Sequence, residues 1–336
     1  ATNFRIVDNL NEMEALGLKG SRLPENPWSD YYWPINEGVL GNRYALPFFQ
    51  QENGRWQSFY DYVFSEKNSL KTIVDQNDPH EIENLSPAEK YDLLIGGEAS
   101  SYETFKNGFI TPTMWEDGNQ RKDKYGFVET WMGICHGWAP ASFMTPRPTK
   151  SILVMAADGK TQVKLFPSDL KGLASYLWAK SPPSTRFMGG RCNNKKPRTD
   201  SSTGRILEPE CFDINPGDWH IAVVNQIGIA HRSLIMDATY DYQVWNQPIL
   251  AYTFTFFNPQ TGAKAETLSE AMVNRQQFSH DRLKNFRAPE SKNFVGVVME
   301  LSYIVETMPS HNELDGPEND AYTTVTYMYD LELDEK

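Results

Sequence analysis

Gly133-Ile134-Cys135-His136-Gly137-Trp138-Ala139-Pro140 is the stretch around which the chain is organised. A cysteine sits in a short, glycine-flanked bend that runs into Pro140, a residue suited to the first turn of a helix. The Cys135 sulfur is therefore expected at or just before a helix N-terminus. Unpaired N–H groups and the helix dipole favour a thiolate over a thiol there. The adjacent backbone N–H groups could also receive an oxyanion.

The bulk numbers narrow the setting. A length of 336 residues suits one large domain or two ordinary ones, and 40% hydrophobic content supplies a substantial core. No run approaches the roughly 18 uninterrupted apolar residues of a membrane-spanning helix. A net charge of −12 argues against a nucleic-acid or anionic-membrane partner. Lys195-Lys196-Pro197-Arg198 is the only basic cluster, and its Ser/Thr/Asp/Gly-rich surroundings read as a solvated loop. The chain opens at Ala1 without Met, as expected of a processed, exported chain. Cys192 and Cys211 bracket a polar loop, and a disulfide closing it would stabilise by roughly 3 kcal/mol. Cys135 is then the odd, reactive thiol; the other reading is three buried free thiols in a cytosolic protein.

Residues 1–110 read as a helical, aromatic-rich N-terminal region. Pro24 to Pro34 is too proline-rich for a helix interior, Trp56 to Val74 has mixed helical spacing, and Ser86-Pro87-Ala88-Glu89 is a helix start with a capping box. Asp75-Gln76-Asn77-Asp78 and Asp117-Gly118-Asn119 are oxygen-rich, but neither has the spacing of an EF-hand loop, and both read as turns. In residues 111–336, an Asp158-Gly159 turn predicts a hairpin over Ser151–Phe166, and Ser168 is expected to cap a helix that stops before Pro182-Pro183. Trp219 to Ile227, Arg232 to Met236, Val244 to Phe256, Phe294 to Ile304 and Ala321 to Leu333 read as strands, the last half exposed. Residues 263–292 read as helical and polar. Helices before an antiparallel sheet give an α+β class.

A thiol nucleophile needs a base in hydrogen-bond reach and a group that orients the base. Of six histidines, His136 adjoins Cys135 and diverges from it. His80 and His311 lie in polar loops, and His280 lies in a polar helical stretch. His220 is expected at the start of a strand after Pro216-Gly217, with Asp237 on the next strand. An antiparallel return would put both side chains on one face. His231, in the intervening turn, is the rival base. The order Cys135, His220, Asp237 resembles the papain-like superfamily, in which a helix-borne cysteine faces an antiparallel sheet. Asp237-Ala238-Thr239 also looks like the Asp-x-Thr ending of transglutaminase-type triads.

Asp241-Tyr242-Gln243-Val244-Trp245-Asn246-Gln247-Pro248 sharpens this reading. It resembles the surface segment of the secreted, calcium-dependent transglutaminase elicitors of oomycetes and related marine bacteria. The Cys135 stretch, Pro27-Trp28 through Tyr32-Trp33-Pro34, and Ser86 to Tyr91 look like that family too. After Pro248 the chain departs from the segment that plants detect. The resemblance implies acyl transfer from protein-bound glutamine to lysine, protein substrates presenting both, secretion, and calcium as the one metal; it implies no organic cofactor. Cys135 would attack the carboxamide, His220 would carry the proton, and Asp237 would hold the imidazole. The Cys135 N–H would be one oxyanion donor; the position of a papain-type glutamine holds Glu129, so a second donor is not identified. Trp131 and Trp138 could wall the site, although packing is the plainer role for each. A secreted cysteine protease or amidase would use the same triad. A non-catalytic recognition protein would leave Cys135 inert to iodoacetamide.

Overall fold

A computed structural model describes residues 5–50, 56–96, 109–181, 184–239 and 241–334. The chain runs α1 (Leu10–Ala15), β1 (Gly20–Arg22), α2 (Trp56–Val63), α3 (Leu70–Gln76), α4 (Pro79–Glu83), α5 (Pro87–Ile95), α6 (Thr111–Tyr125) and α7 (Cys135–Met144). Then come β2 (Ile152–Met155), β3 (Gln162–Leu165), α8 (Pro167–Lys180), α9 (Pro216–Val223), β4 (Ile235–Asp237) and β5 (Asn246–Phe257). The last elements are β6 (Lys264–Ala265), α10 (Leu268–Ala271), β7 (Val273–Asn274), β8 (Asn293–Val305) and β9 (Ala321–Leu333). Helices and an antiparallel sheet make the α+β class expected from the sequence.

Two compact units are present, and neither is continuous in sequence. A sheet unit takes Ala1–Pro27, Ser184–Ile304 and Tyr322–Lys336, and a helical unit takes Trp28–Pro183 and Val305–Ala321. The boundary expected at residue 110 lies inside the helical unit, and the first 27 residues belong to the sheet unit.

In the sheet unit the long antiparallel pair β5 and β8 forms the spine, running from Ile249 opposite Tyr303 to Phe257 opposite Gly296. The other edge of β5 is covered in turn by β4, β1 and β6, and β8 also pairs with β7 and β9. Ile249, Leu250, Tyr252, Phe254 and Phe256 from β5 are buried with Val295, Val297, Met299 and Leu301 from β8. β9 alternates inward and outward residues, as its sequence predicts.

Two stretches differ from expectation. Trp219 to Ile227 is not a strand: α9 covers its first part, and Val224–Ile229 continues as a π-helical turn. The side-chain oxygen of Asn215 accepts from the N–H groups of Gly217 (2.8 Å) and Asp218 (3.3 Å), and Pro216 occupies the first helical position. A side-chain cap with proline behind it outweighs the weak strand preference of Ile221, Val223 and Val224. Residues 263–292 hold only the single-turn α10, a 3-10 turn and short strands, because the capping box of Thr267 and Glu270 starts a helix that Met272 ends.

The helical unit is built as its caps foretell. Ser86 and Glu89 cap α5 reciprocally with Pro87 at its first position, and Trp56 to Val74 divides into α2 and α3 around Ser65 and Ser69. The β2–β3 hairpin forms with Gly159 at φ 69°. Ser168 does not cap α8; Asp169 accepts the Phe166 N–H at 2.8 Å instead. Trp33, Leu40, Trp56, Phe59 and Trp115 fill one core of this unit. Two ion pairs are buried beside it, Arg43 with Glu89 and Lys90 with Asp169, the latter at 2.7 Å with both side chains fully enclosed.

Candidate active site

Cys135 is the first residue of α7, lies outside the disulfide and has 5% of its surface exposed. The bend before it is clamped by the Tyr32–Ile35 segment. The Ile134 N–H donates to the Tyr32 carbonyl and the Ile35 N–H to the Met132 carbonyl, both at 2.8 Å. A Cβ on Gly133 would sit 2.3 Å from the Tyr32 carbonyl oxygen, and one on Gly137 would sit 2.2 Å from that of Ser175 in α8. The glycines that flank Cys135 therefore let two backbones approach closely. Pro140 lies inside α7, not in its first turn, because the helix already begins at the cysteine. Trp138 is fully buried and donates its indole N–H to the Trp28 carbonyl at 3.0 Å, so it packs the helix in place.

The Tyr32 phenol feels Cys135 electrostatically within this unit. Burial, then Glu37, Glu306 and Cys135, push the Tyr32 phenol up to about 12, so it stays an O–H donor, here to the Thr130 carbonyl at 2.8 Å. Burial also raises the Glu37 carboxyl to about 7 against hydrogen bonds from Tyr31 (3.1 Å) and Asn42 (2.7 Å). The N-terminus of α7 is a setting that favours a thiolate.

His220 and Asp237 belong to the sheet unit, Cys135 to the helical unit. His220 lies on α9, not on a strand, and is 1% exposed. Its Nδ1 is 2.8 Å from the Tyr329 hydroxyl, and the Phe254 ring meets its imidazole edge-on at 4.7 Å between centroids. Its Nε2 is buried without a hydrogen-bond partner. Burial lowers its pKa to about 4, so the imidazole is neutral at pH 7.

Asp237 ends β4 and stands opposite Asn246 of β5. Its Oδ1 accepts from the N–H groups of Thr239 (3.3 Å) and Trp245 (3.0 Å) and from the Thr239 hydroxyl (3.3 Å), which closes the intervening loop. Among the described residues no hydrogen bond joins Asp237 to His220. The expected pairing fails for a local reason: Asp237-x-Thr239 is a self-satisfying turn, and His220 rides a helix instead of the neighbouring strand.

His231 sits before β4 with φ 49°, exposed. His80 belongs to α4 and His280 to an exposed turn. His311 stacks on Phe166 at 4.0 Å and meets Tyr44 edge-on in the helical unit. Trp131 and Glu129, between α6 and α7, are half-buried.

The oxygen-rich turns serve local structure. Asp75 pairs with Lys71 and Asp117 with Arg121, each one turn away, and Asp78 caps α4. Among the described residues no three His, Cys, Asp or Glu side chains are grouped to hold a metal ion. No ligand set is assigned to the calcium implied by resemblance, and no chemical step is routed through it. Cys192 and Cys211 form the expected disulfide across 19 residues. Tyr329 and Tyr32 went unnoticed in the sequence, although the strict alternation of β9 already places Tyr327 and Tyr329 on one face.

No curated protein matches the chain. The crystal structure of the GP42 transglutaminase from Phytophthora sojae matches with a TM-score of 0.53 at 17% identity, covering 99% of this chain and 84% of that one. That likeness shows a shared fold. The family model described as "Transglutaminase elicitor" matches residues 116–336, the span holding Cys135, His220 and Asp237. The chain belongs to the transglutaminase elicitor family.

Proposed function

We propose that the chain is a secreted transglutaminase that joins glutamine to lysine through a Cys135 thioester. The observation that carries this reading is the position of Cys135 at the head of α7, inside the span that matches the family. The Cys135 sulfur attacks the carboxamide carbon of a glutamine side chain. The S–C bond forms, the C–N bond breaks, and ammonia leaves with the proton taken from the thiol. A lysine amine then attacks the thioester carbon, the S–C bond breaks, and the sulfur recovers its proton. N–H groups at the start of α7 are the oxyanion donors of this scheme, worth a few kcal/mol when aimed at the developing charge. His220 carries the proton between these steps, with Asp237 assigned to the same site by the papain-like resemblance. The disulfide suits an oxidising compartment.

A second reading of His220 is favoured by its burial: a core histidine that holds α9 against β5 and β9. The two readings separate in one assay, incorporation of a fluorescent primary amine into casein, with and without EDTA. Cys135→Ser is expected to lower the rate about 1,000-fold or more. His220→Gln at full activity would leave His220 a core residue, and fragmentation of casein in place of labelling would make the protein a protease. Loss of labelling with EDTA would place a metal requirement in the protein, and an unchanged rate would remove it.

A further inference from the structure

We infer that the Tyr329 hydroxyl, not the Asp237 carboxylate, is the group that holds His220 with its proton on Nδ1 and its Nε2 open as an acceptor. The inference rests on His220 being the base proposed above. Tyr329 lies 2.8 Å from Nδ1, and its hydroxyl also donates to the Met299 sulfur at 3.8 Å. A phenol has one proton and two acceptor lone pairs. With that proton turned to Met299, the oxygen is left to accept, and among the described residues the donor it meets is Nδ1–H. The chain Nδ1–H to Tyr329 to Met299 therefore uses each proton once.

The other ring nitrogen points the same way. Nε2 is buried and without a partner. A buried N–H left unpaired is rarer than an acceptor left short of a donor, so the proton belongs on Nδ1. Met299 on β8 is fully buried, Tyr329 sits on the paired strand β9, and the Phe254 ring of β5 fixes the plane of the imidazole. Three paired strands thus set one tautomer and one ring orientation, and Nε2 is the acceptor left for a proton. In this frame Tyr329 is a positioning residue that acts through His220.

The test uses the full chain labelled with 15N-histidine. Long-range proton–nitrogen correlation at pH 7 reads which ring nitrogen of His220 carries the proton, and His220→Gln assigns the signals. The expected result is a proton on Nδ1 in the native chain. In Tyr329→Phe both tautomers should be populated, with unchanged circular dichroism and kcat for amine incorporation lowered about 10-fold at constant KM. Met299→Leu, which frees the phenol proton to turn toward Nδ1, should shift the proton toward Nε2 in a chain of nearly unchanged volume. A native proton on Nε2, or a tautomer indifferent to both substitutions, overturns the inference. Full activity in His220→Gln overturns the assignment of the base instead, and leaves the tautomer result to decide the role of Tyr329.

Discussion

The two units bury polar groups in different proportions. The helical unit encloses two ion pairs, Lys90 with Asp169 and Arg43 with Glu89, and the Asp30 carboxyl, which takes hydrogen bonds from Trp33 at 2.9 Å and Ser175 at 3.2 Å. The sheet unit encloses one such pair, Arg287 with Asp281, and a neutral imidazole between a phenol and a phenyl ring. Ionised pairs hold elements rigidly but require both partners. A neutral hydrogen bond asks less and tolerates a titrating group kept uncharged. Cys135 is thus mounted in the unit whose fully enclosed ion pair, Lys90 with Asp169, depends on both partners.

The largest expected effect breaks one of those pairs. Lys90 and Asp169 are both 0% exposed, and Asp169 also accepts from Tyr44 at 2.9 Å and from the Phe166 N–H at 2.8 Å. Lys90→Met strands that carboxylate and should lower stability by about 3 to 5 kcal/mol in urea unfolding. Replacing both partners with apolar residues should restore much of the loss. A Lys90→Met chain of native stability would mean that the pair is not held as enclosed charge.

Acid and base should move the two units oppositely. Asp30 is raised from 3.8 to about 7, first by burial and against the pull of Lys171; Glu37 is raised to about 7 and Asp92 to about 6, both by burial. Between pH 4 and 7 the folded helical unit therefore holds protons that the unfolded chain has released, and its stability falls as pH rises. For Asp30 the full span is worth up to about 4 kcal/mol. His311, lowered to about 4 by burial and then Lys90, opposes this in part. His220 is lowered from 6.5 to about 4, so the unfolded chain binds the extra proton and the sheet unit gains up to about 3 kcal/mol as pH rises from 4 to 6.5. Hydrogen exchange corrected for its intrinsic pH dependence should show protection rising with pH in β5 and β8 and falling in α7 and α8. Asp30→Asn should flatten the fall, because an amide still accepts from Trp33. Protection that moves the same way in both units would break the comparison.

The Cys192–Cys211 bridge lies wholly in the sheet unit and closes the loop that precedes α9. Cys192→Ala with Cys211→Ala should lower stability by about 3 kcal/mol, read as lost protection in α9 and β5 while α7 and α8 keep theirs. Equal loss in both units would show that they unfold as one.

How much of this the sequence declared depended on the range of the interactions. The α5 capping box, the Asp158-Gly159 hairpin, the alternation of β9 and the odd cysteine are signals over a few residues, and each was legible. The place of Cys135 at the head of a helix was legible too, although Pro140 lies inside α7 and not in its first turn. The pairing of Asp237 with His220 was inferred from two strands, one of which is a helix. The partner of His220 lies 109 residues away on β9, and no local pattern names it. Membership of the family came from words such as Val244-Trp245-Asn246-Gln247-Pro248 and not from periodicity.

The smallest effect tests that misreading directly. α9 forms because Asn215 satisfies the N–H groups of Gly217 and Asp218 ahead of a run whose side chains alone would suit a strand. Asn215→Ala removes the cap and should cost about 1 kcal/mol in thermal unfolding. Asn215→Asp should cost little, since a carboxylate accepts the same bonds and meets the helix dipole favourably. Because His220 sits one turn from the cap, weakening it should also loosen the hold of Tyr329 on Nδ1, seen as mixing of the His220 tautomers. A chain that loses the cap, keeps its stability and keeps its tautomer would show that packing of Val223 and Val224, both fully buried, sets α9 without help from the local signal.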